Sequence, residues 1–186
     1  MAAFLTRPSV EYRDSYLRSV RETQTTRSVA AWELAALNAD FAGFVRDLLE
    51  RGDPAQAVPG RMPEMIYWLI DDGEYIGRVS IRHAVNDWVR TIGGHIGYEI
   101  RPSRRRRGYG TLILRLALPH AREMGITRVL ITCDEDNIGS KKIIEANGGR
   151  FESAVTAPGQ RSRKLRYWID LAPPAAASSA AYGEEC

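Results

Sequence analysis

Between a strand-like segment at 94–100 and a helix-like segment that starts at Tyr109 lies the run Arg101-Pro102-Ser103-Arg104-Arg105-Arg106-Arg107-Gly108-Tyr109-Gly110-Thr111. No other stretch narrows the choice of folds so far. Before it, Ile96, Tyr98 and Ile100 alternate with Gly97 and Glu99, as in a strand with two unlike faces. After it, Tyr109, Leu112, Ile113, Leu116, Ala117, Ala121 and Met124 recur at helical spacing until Gly125. A helix N-terminus offers unpaired N–H groups and the positive end of a dipole, and glycines there let the backbone approach an anion without Cβ interference. The run therefore predicts a strand–turn–helix unit that holds a phosphate or pyrophosphate. It is not a P-loop, because no lysine followed by Ser or Thr comes after the second glycine. Nor is it a dinucleotide fingerprint, because Ile113 stands at the third glycine position and no acidic residue lies at the next strand end.

A second use of the same arginines would be a phosphate or nucleic-acid surface shared with Arg161, Arg163, Lys164 and Arg166. The net charge of +3 is too small to indicate nucleic acid by itself. A generic phosphate-contacting run also has no need of Gly108 and Gly110, so the glycine pair favours the cradle.

The remaining pattern predicts a short strand at 5–7, helices at 9–23 and 38–51, and a three-stranded antiparallel meander of 65–71, 75–84 and 94–100. A helix at 109–124, in which Pro119 should introduce a kink, precedes a buried strand at 128–133, a helix at 138–147 and a hairpin of 151–156 with 164–171. Residues 53–63, with three prolines and a glycine, read as a loop able to cover a site. At 186 residues and 44% hydrophobic, the chain has the material for one core; we expect one domain over 1–171 and a disordered Ala/Pro/Ser-rich tail over 172–186. The longest apolar run, 65–70, falls far short of the roughly 20 residues a spanning helix needs, and the first residues lack a secretory pattern. The expected location is the cytoplasm. Cys133 and Cys186 cannot build a zinc site with His83, His95 and His120 at these spacings, so no metal is expected.

At this point the chain resembles the GCN5-related N-acetyltransferase (GNAT) superfamily. Arg105-x-x-Gly108-x-Gly110 matches that family's coenzyme signature, and the strands Gly97-Tyr98-Glu99-Ile100 and Val129-Leu130-Ile131-Thr132-Cys133, followed by Asn137-x-x-Ser140 and Gly148, supply its context over 94–151. The resemblance implies an α+β, three-layer fold: a mixed, mostly antiparallel sheet of about seven strands, split between the fourth and fifth and flanked by about four helices. It implies that acetyl-CoA lies in the split as acyl donor, held by Ile100, Arg105, Arg106, Arg107, Gly108, Tyr109, Gly110 and Thr111, with Asn137 and Ser140 near the pantetheine arm. Asn137 fits a helix cap equally well. Tyr98, Glu99 and Ile100 would lie at the reaction, where a strand N–H polarises the thioester carbonyl.

Glu99 is the candidate base for the attacking amine, or else a structural partner of the arginines. Its alternating neighbours Gly97 and His95 are expected on the same face. Many family members carry a tyrosine that protonates the leaving thiolate where this chain has Ile144; Tyr98, Ser140 or water are the substitutes. Cys133 reads as packing or channel lining, with an acyl-cysteine as the minority option. Tyr67, Trp68, Tyr75, Trp88, Tyr167 and Trp168 read as strand packing, a subset of which would line an acceptor pocket. The implied activity is acetyl transfer to a primary amine of a small molecule or peptide, with no membrane partner and with a homodimer compatible. The competing readings are an acyl-CoA sensor without turnover and, more remotely, the phosphate or nucleic-acid module.

Overall fold

A continuous apolar strand at 65–70 and an alternating one at 75–82 form a long hairpin, and the rest of the molecule is arranged on its two faces. The computed structural model describes residues 2–24, 31–53, 62–83, 92–156 and 162–171. Trp88, Cys186, the tail and most of the 53–63 loop lie outside the described residues. The elements in chain order are β1 (Phe4–Thr6), a short 3-10 turn (Val10–Tyr12), α1 (Arg13–Gln24), α2 (Ala31–Ala39) and α3 (Phe41–Glu50). Then follow β2 (Glu64–Asp71), β3 (Glu74–Arg82), β4 (Ile96–Ile100), α4 (Tyr109–Glu123), β5 (Arg128–Asp134), α5 (Ile138–Ala146), β6 (Arg150–Val155) and β7 (Lys164–Asp170).

The strands form two antiparallel sheets, ordered β1-β2-β3-β4 and β5-β7-β6, with the break between β4 and β5 as expected. One face of the first sheet buries Leu69, Val79, Ile81 and Ile96 against α4, together with Val129, Ile131 and Tyr167 of the second sheet. The other face buries Ile66, Trp68, Ile70 and Tyr75 against Leu17 of α1 and Phe41, Val45 and Leu48 of α3. Tyr16 stacks on Trp68 there, with ring centroids 4.9 Å apart. The rings of Trp68, Tyr75 and Tyr167 are therefore core residues.

The helix expected at 38–51 is α3, and Asn38 and Ala39 instead end a separate helix, α2. Asp40 separates the two, its carboxylate accepting from the Gly43 N–H at 2.7 Å as the N-cap of α3. The preceding α2 was not foreseen because its sequence, rich in alanine, shows no amphipathic period. Pro119 sits within α4, which continues unbroken to Glu123.

Arg101 ties these layers together where β4 ends. Its side chain is only 6% exposed. The guanidinium donates to the Glu22 carboxylate of α1, to Glu74 Oε2 at 3.3 Å, to Ser15 Oγ at 3.4 Å and to the Tyr75 carbonyl at 3.0 Å. Glu22 in turn accepts from the Ser103 N–H at 3.1 Å. One buried cation thus anchors α1, the β2–β3 hairpin and the turn after β4. Arg101→Ala removes the cation that Glu22 and Glu74 share, Glu74 keeping Arg18, and we expect a loss of about 3 kcal/mol in urea unfolding. A loss below about 1 kcal/mol would mean that the network contributes no more than surface pairs do.

Candidate active site

Two backbone devices shape the site. The first is the turn after β4. Pro102–Arg104 forms a single 3-10 turn, Arg105 donates through Nε to the Ile100 carbonyl at 3.0 Å, and Arg106 adopts φ +60°, a left-handed conformation that a residue with a Cβ seldom takes. Gly108 follows at φ +83° as the N-cap of α4 and supplies no side-chain cap. The first N–H groups of the helix are thus left for an external acceptor. A Cβ on Gly108 would meet nothing within 4 Å, so the glycine is required by its conformation rather than by crowding. Gly110 differs. A Cβ there would come within 2.4 Å of Ile143 Cδ1, so this glycine lets α5 pack closely on α4.

The second device opens the sheet. The His95 N–H donates to the Leu130 carbonyl at 2.7 Å, and the Leu130 N–H donates to His95 Nδ1 at 2.8 Å. This clasp is the point where the two sheets touch. Beyond it β4 and β5 form no ladder, so the strands part toward the turn. His95 is therefore buried at the vertex, and it does not share an open face with Glu99 as the alternation suggested. β4 begins only at Ile96, and His95 turns its N–H to Leu130 while its carbonyl accepts from the Arg82 N–H at 2.8 Å.

Burial lowers the His95 pKa, which keeps the ring neutral as the clasp requires, because Nδ1 must accept. The unfolded chain binds this proton more readily, so the stabilisation is complete above about 6.5, the unfolded value, and is lost as the pH falls toward the lower folded value. We expect the stability advantage of the wild type over His95→Asn in urea unfolding to shrink between about pH 7.5 and about pH 5.5. A constant advantage would count against the clasp.

The parted strands enclose a cavity of about 530 Å³. Arg78, Ser80 and Arg82 of β3 and Gly97 and Glu99 of β4 form one wall; Tyr98, Ile100, Arg105, Arg106 and Gly110 lead to the turn; Asn137, Gly139, Ser140 and Ile143 close the α5 side. A smaller cavity of about 190 Å³ continues past Gly97, Tyr98, Asn137 and Ser140 to Thr132, Cys133 and Lys164. Tyr98 spans the gap with its hydroxyl 2.8 Å from Ser140 Oγ, and burial pushes its phenol up to about 12. Burial likewise pushes the Cys133 thiol up to about 11, which leaves it protonated near neutrality and ill suited as a nucleophile. Asn137 caps α5, its Oδ1 accepting from the Ser140 N–H at 3.0 Å, while also lining the cavity. Ile144 is fully buried in the core.

Of the residues singled out from sequence, Tyr98, Glu99, Ile100, Arg105, Arg106, Gly110, Asn137 and Ser140 converge on this space. Arg107, Gly108, Tyr109 and Thr111 belong to the turn and the helix start without lining it. The Tyr109 hydroxyl is instead bonded to Asp71 Oδ2 at 2.5 Å, and the Thr111 carbonyl accepts from Asn147. None of the aromatic residues considered for an acceptor pocket lines the cavity, Trp88 lying outside the described residues. The residues not anticipated are Arg78, Ser80 and Arg82. The sequence marks 78, 80 and 82 as one polar face of β3, but only the strand pairing shows that β3 is interior. Among the described residues no group of His, Cys, Asp or Glu is placed to hold a metal ion, and no helix is long and apolar enough to cross a membrane.

A split antiparallel sheet with a helix N-terminus that lacks a side-chain cap at its opening defines an α+β class of domain. The family model for the acetyltransferase (GNAT) domain matches residues 4–150. The chain belongs to the GNAT acetyltransferase family. Among solved structures it is similar to the microcin C7 self-immunity acetyltransferase MccE in complex with acetyl-CoA and AMP, at 17% identity, covering 91% of this chain and 92% of that one with a TM-score of 0.65. RimJ of Mycobacterium smegmatis, in complex with CoA-disulfide, is similar at 20% identity, with coverage of 90% and 81% and a TM-score of 0.64. The aminoglycoside acetyltransferase AAC(6')-Ib in complex with coenzyme A gives 17%, 91%, 95% and 0.60 for the same quantities. No curated protein sequence matches the chain.

Proposed function

We propose that the protein is an acetyl-CoA-dependent N-acetyltransferase in which a primary amine of a small molecule or peptide attacks directly within a ternary complex. The observation that carries this reading is the continuity of one cavity from Arg105, Arg106 and Gly110, at the turn and first turn of α4, through the parted strands, to Glu99. The reading places the activity in residues 1–171 and none of it in 172–186.

Bound acetyl-CoA supplies an acetyl group activated as a thioester. Its pyrophosphate suits the backbone amides from Gly108 to Thr111, with Arg105, Arg106 and Arg107 adding charge and Tyr109 fixing the helix start through Asp71. The edge of β4 that has no strand partner beyond His95 offers backbone groups at Tyr98 and Ile100 to orient the pantetheine and polarise the carbonyl. Glu99 takes the proton from the substrate ammonium, whose pKa of about 10 keeps it unreactive at neutral pH. Tyr98 replaces the missing tyrosine in part. A phenol at about 12 is too weak an acid to hand its proton to a thiolate of pKa near 8.5, so its hydroxyl stabilises the leaving sulfur by a hydrogen bond, and the thiolate takes its proton from the neutral buffer after it has left. Ser140 holds that hydroxyl in place.

The test is release of the coenzyme thiol across a panel of amines, with the acetylated product identified by mass. Amine-dependent release supports the reading. A second reading, binding without turnover, is favoured by the buried Ile144 and predicts coenzyme affinity with no amine-dependent release.

A further inference from the structure

We propose that the acceptor is a small amine that carries an acid on the same molecule, and that Arg78 is the residue that grips the acid. This rests on the acetyltransfer reading and names the substrate class of that same site. On the acceptor wall of the cavity, Arg82 is already answered by Glu64 at 3.1 Å, and Arg105 and Arg106 belong to the turn. Arg78 is different. Its guanidinium is exposed to the cavity and, among the described residues, forms neither an ion pair nor a side-chain hydrogen bond.

Arg78 and Glu99 are register partners on adjacent antiparallel strands, so their side chains leave the same face of the sheet, yet no ion pair joins them. Opposed residues in such a ladder have Cα atoms about 5 Å apart. The wall therefore presents a cation and a carboxylate side by side, with their roles divided. Glu99 attracts and deprotonates an ammonium group, and Arg78 offers a planar fork of donors that suits a carboxylate or a phosphonate. Gly97, opposite Ser80, adds no side chain to the floor between them. A polycationic acceptor would bring further positive charge against Arg78 and Arg82, which the same wall disfavours.

The experiment compares kcat/KM of the full chain for α-amino acids, their carboxamides, an aminophosphonate and 1,4-diaminobutane, in the wild type, Arg78→Met and Arg78→Glu. We expect the wild type to favour an acid-bearing amine over its uncharged counterpart by about 10-fold or more. Arg78→Glu should lower that value about 100-fold and raise the value for the diamine, with coenzyme affinity unchanged. The amino acid and aminophosphonate arms decide which acid is preferred. Equal use of acid and amide by the wild type, the diamine as best acceptor, or an equal loss for all acceptors in Arg78→Glu would overturn the inference and leave acetyltransfer standing. Absence of thiol release with every amine would instead overturn the acetyltransfer reading on which it rests.

Discussion

Glu99→Gln should lower kcat by about 100-fold or more while the dissociation constant for coenzyme A stays as in the wild type. The separation follows from position. Glu99 lies on the β3–β4 wall of the cavity, on the face that carries Arg78 and Ser80, whereas the anion-holding turn begins only after Ile100. Glutamine keeps the size and a hydrogen-bonding carbonyl but cannot accept a proton from an ammonium group. Ile144 is buried and offers no proton donor, and removal of the ammonium proton is the transfer the protein itself must assist. The acidic limb of the kcat/KM profile should also vanish in the variant, since that limb reports the base in the free enzyme. A Gln variant that retained both rate and limb would make Glu99 a wall residue and leave deprotonation to water.

Gly108→Val should reduce coenzyme affinity by about 100-fold or more, and it should do so by changing the backbone. At φ +83° a β-branched residue is strained by about 1–2 kcal/mol, and the turn relieves that strain by moving out of the left-handed region. The first N–H groups of α4 then no longer point at one place. Because a Cβ at this position meets no neighbour, the core is untouched, and the melting temperature should fall by only a few degrees. Gly110→Val is the informative contrast: its Cβ runs into the tip of the Ile143 side chain, which must turn aside, so it should cost some stability through repacking between α4 and α5 while leaving the conformation of the turn unchanged. Unchanged calorimetric binding in Gly108→Val would place the anion site elsewhere.

Much of this could be read from the sequence, for reasons that differ between elements. The unit from 94 to 125 announced itself because its alternation changed from period two to helical spacing across a glycine-bearing turn, and β4 and α4 lie within a residue or two of where that change put them. The hairpin of β2 and β3 followed from its Asp72-Gly73 turn. Three things were not visible. The break between α2 and α3 depends on one capping carboxylate, Asp40, inside a stretch whose composition reads as continuous helix. The vertex of the split depends on a hydrogen bond from Leu130 to His95, residues far apart in the chain, and local pattern carries no information about such a pairing. The acceptor wall depends on which face of an interior strand is left uncovered, and that is decided by where α1 and α3 pack rather than by β3 itself.

Steady-state rates measured while both acetyl-CoA and a competent amine are varied test the central claim most directly. Direct attack in a ternary complex predicts intersecting double-reciprocal lines and no acetyl group on the protein when amine is withheld. The buried Cys133 thiol, held up at about 11, is consistent with that outcome. Parallel lines, together with an acetylated Cys133 trapped before amine is added, would contradict the account and assign the transfer to a covalent intermediate.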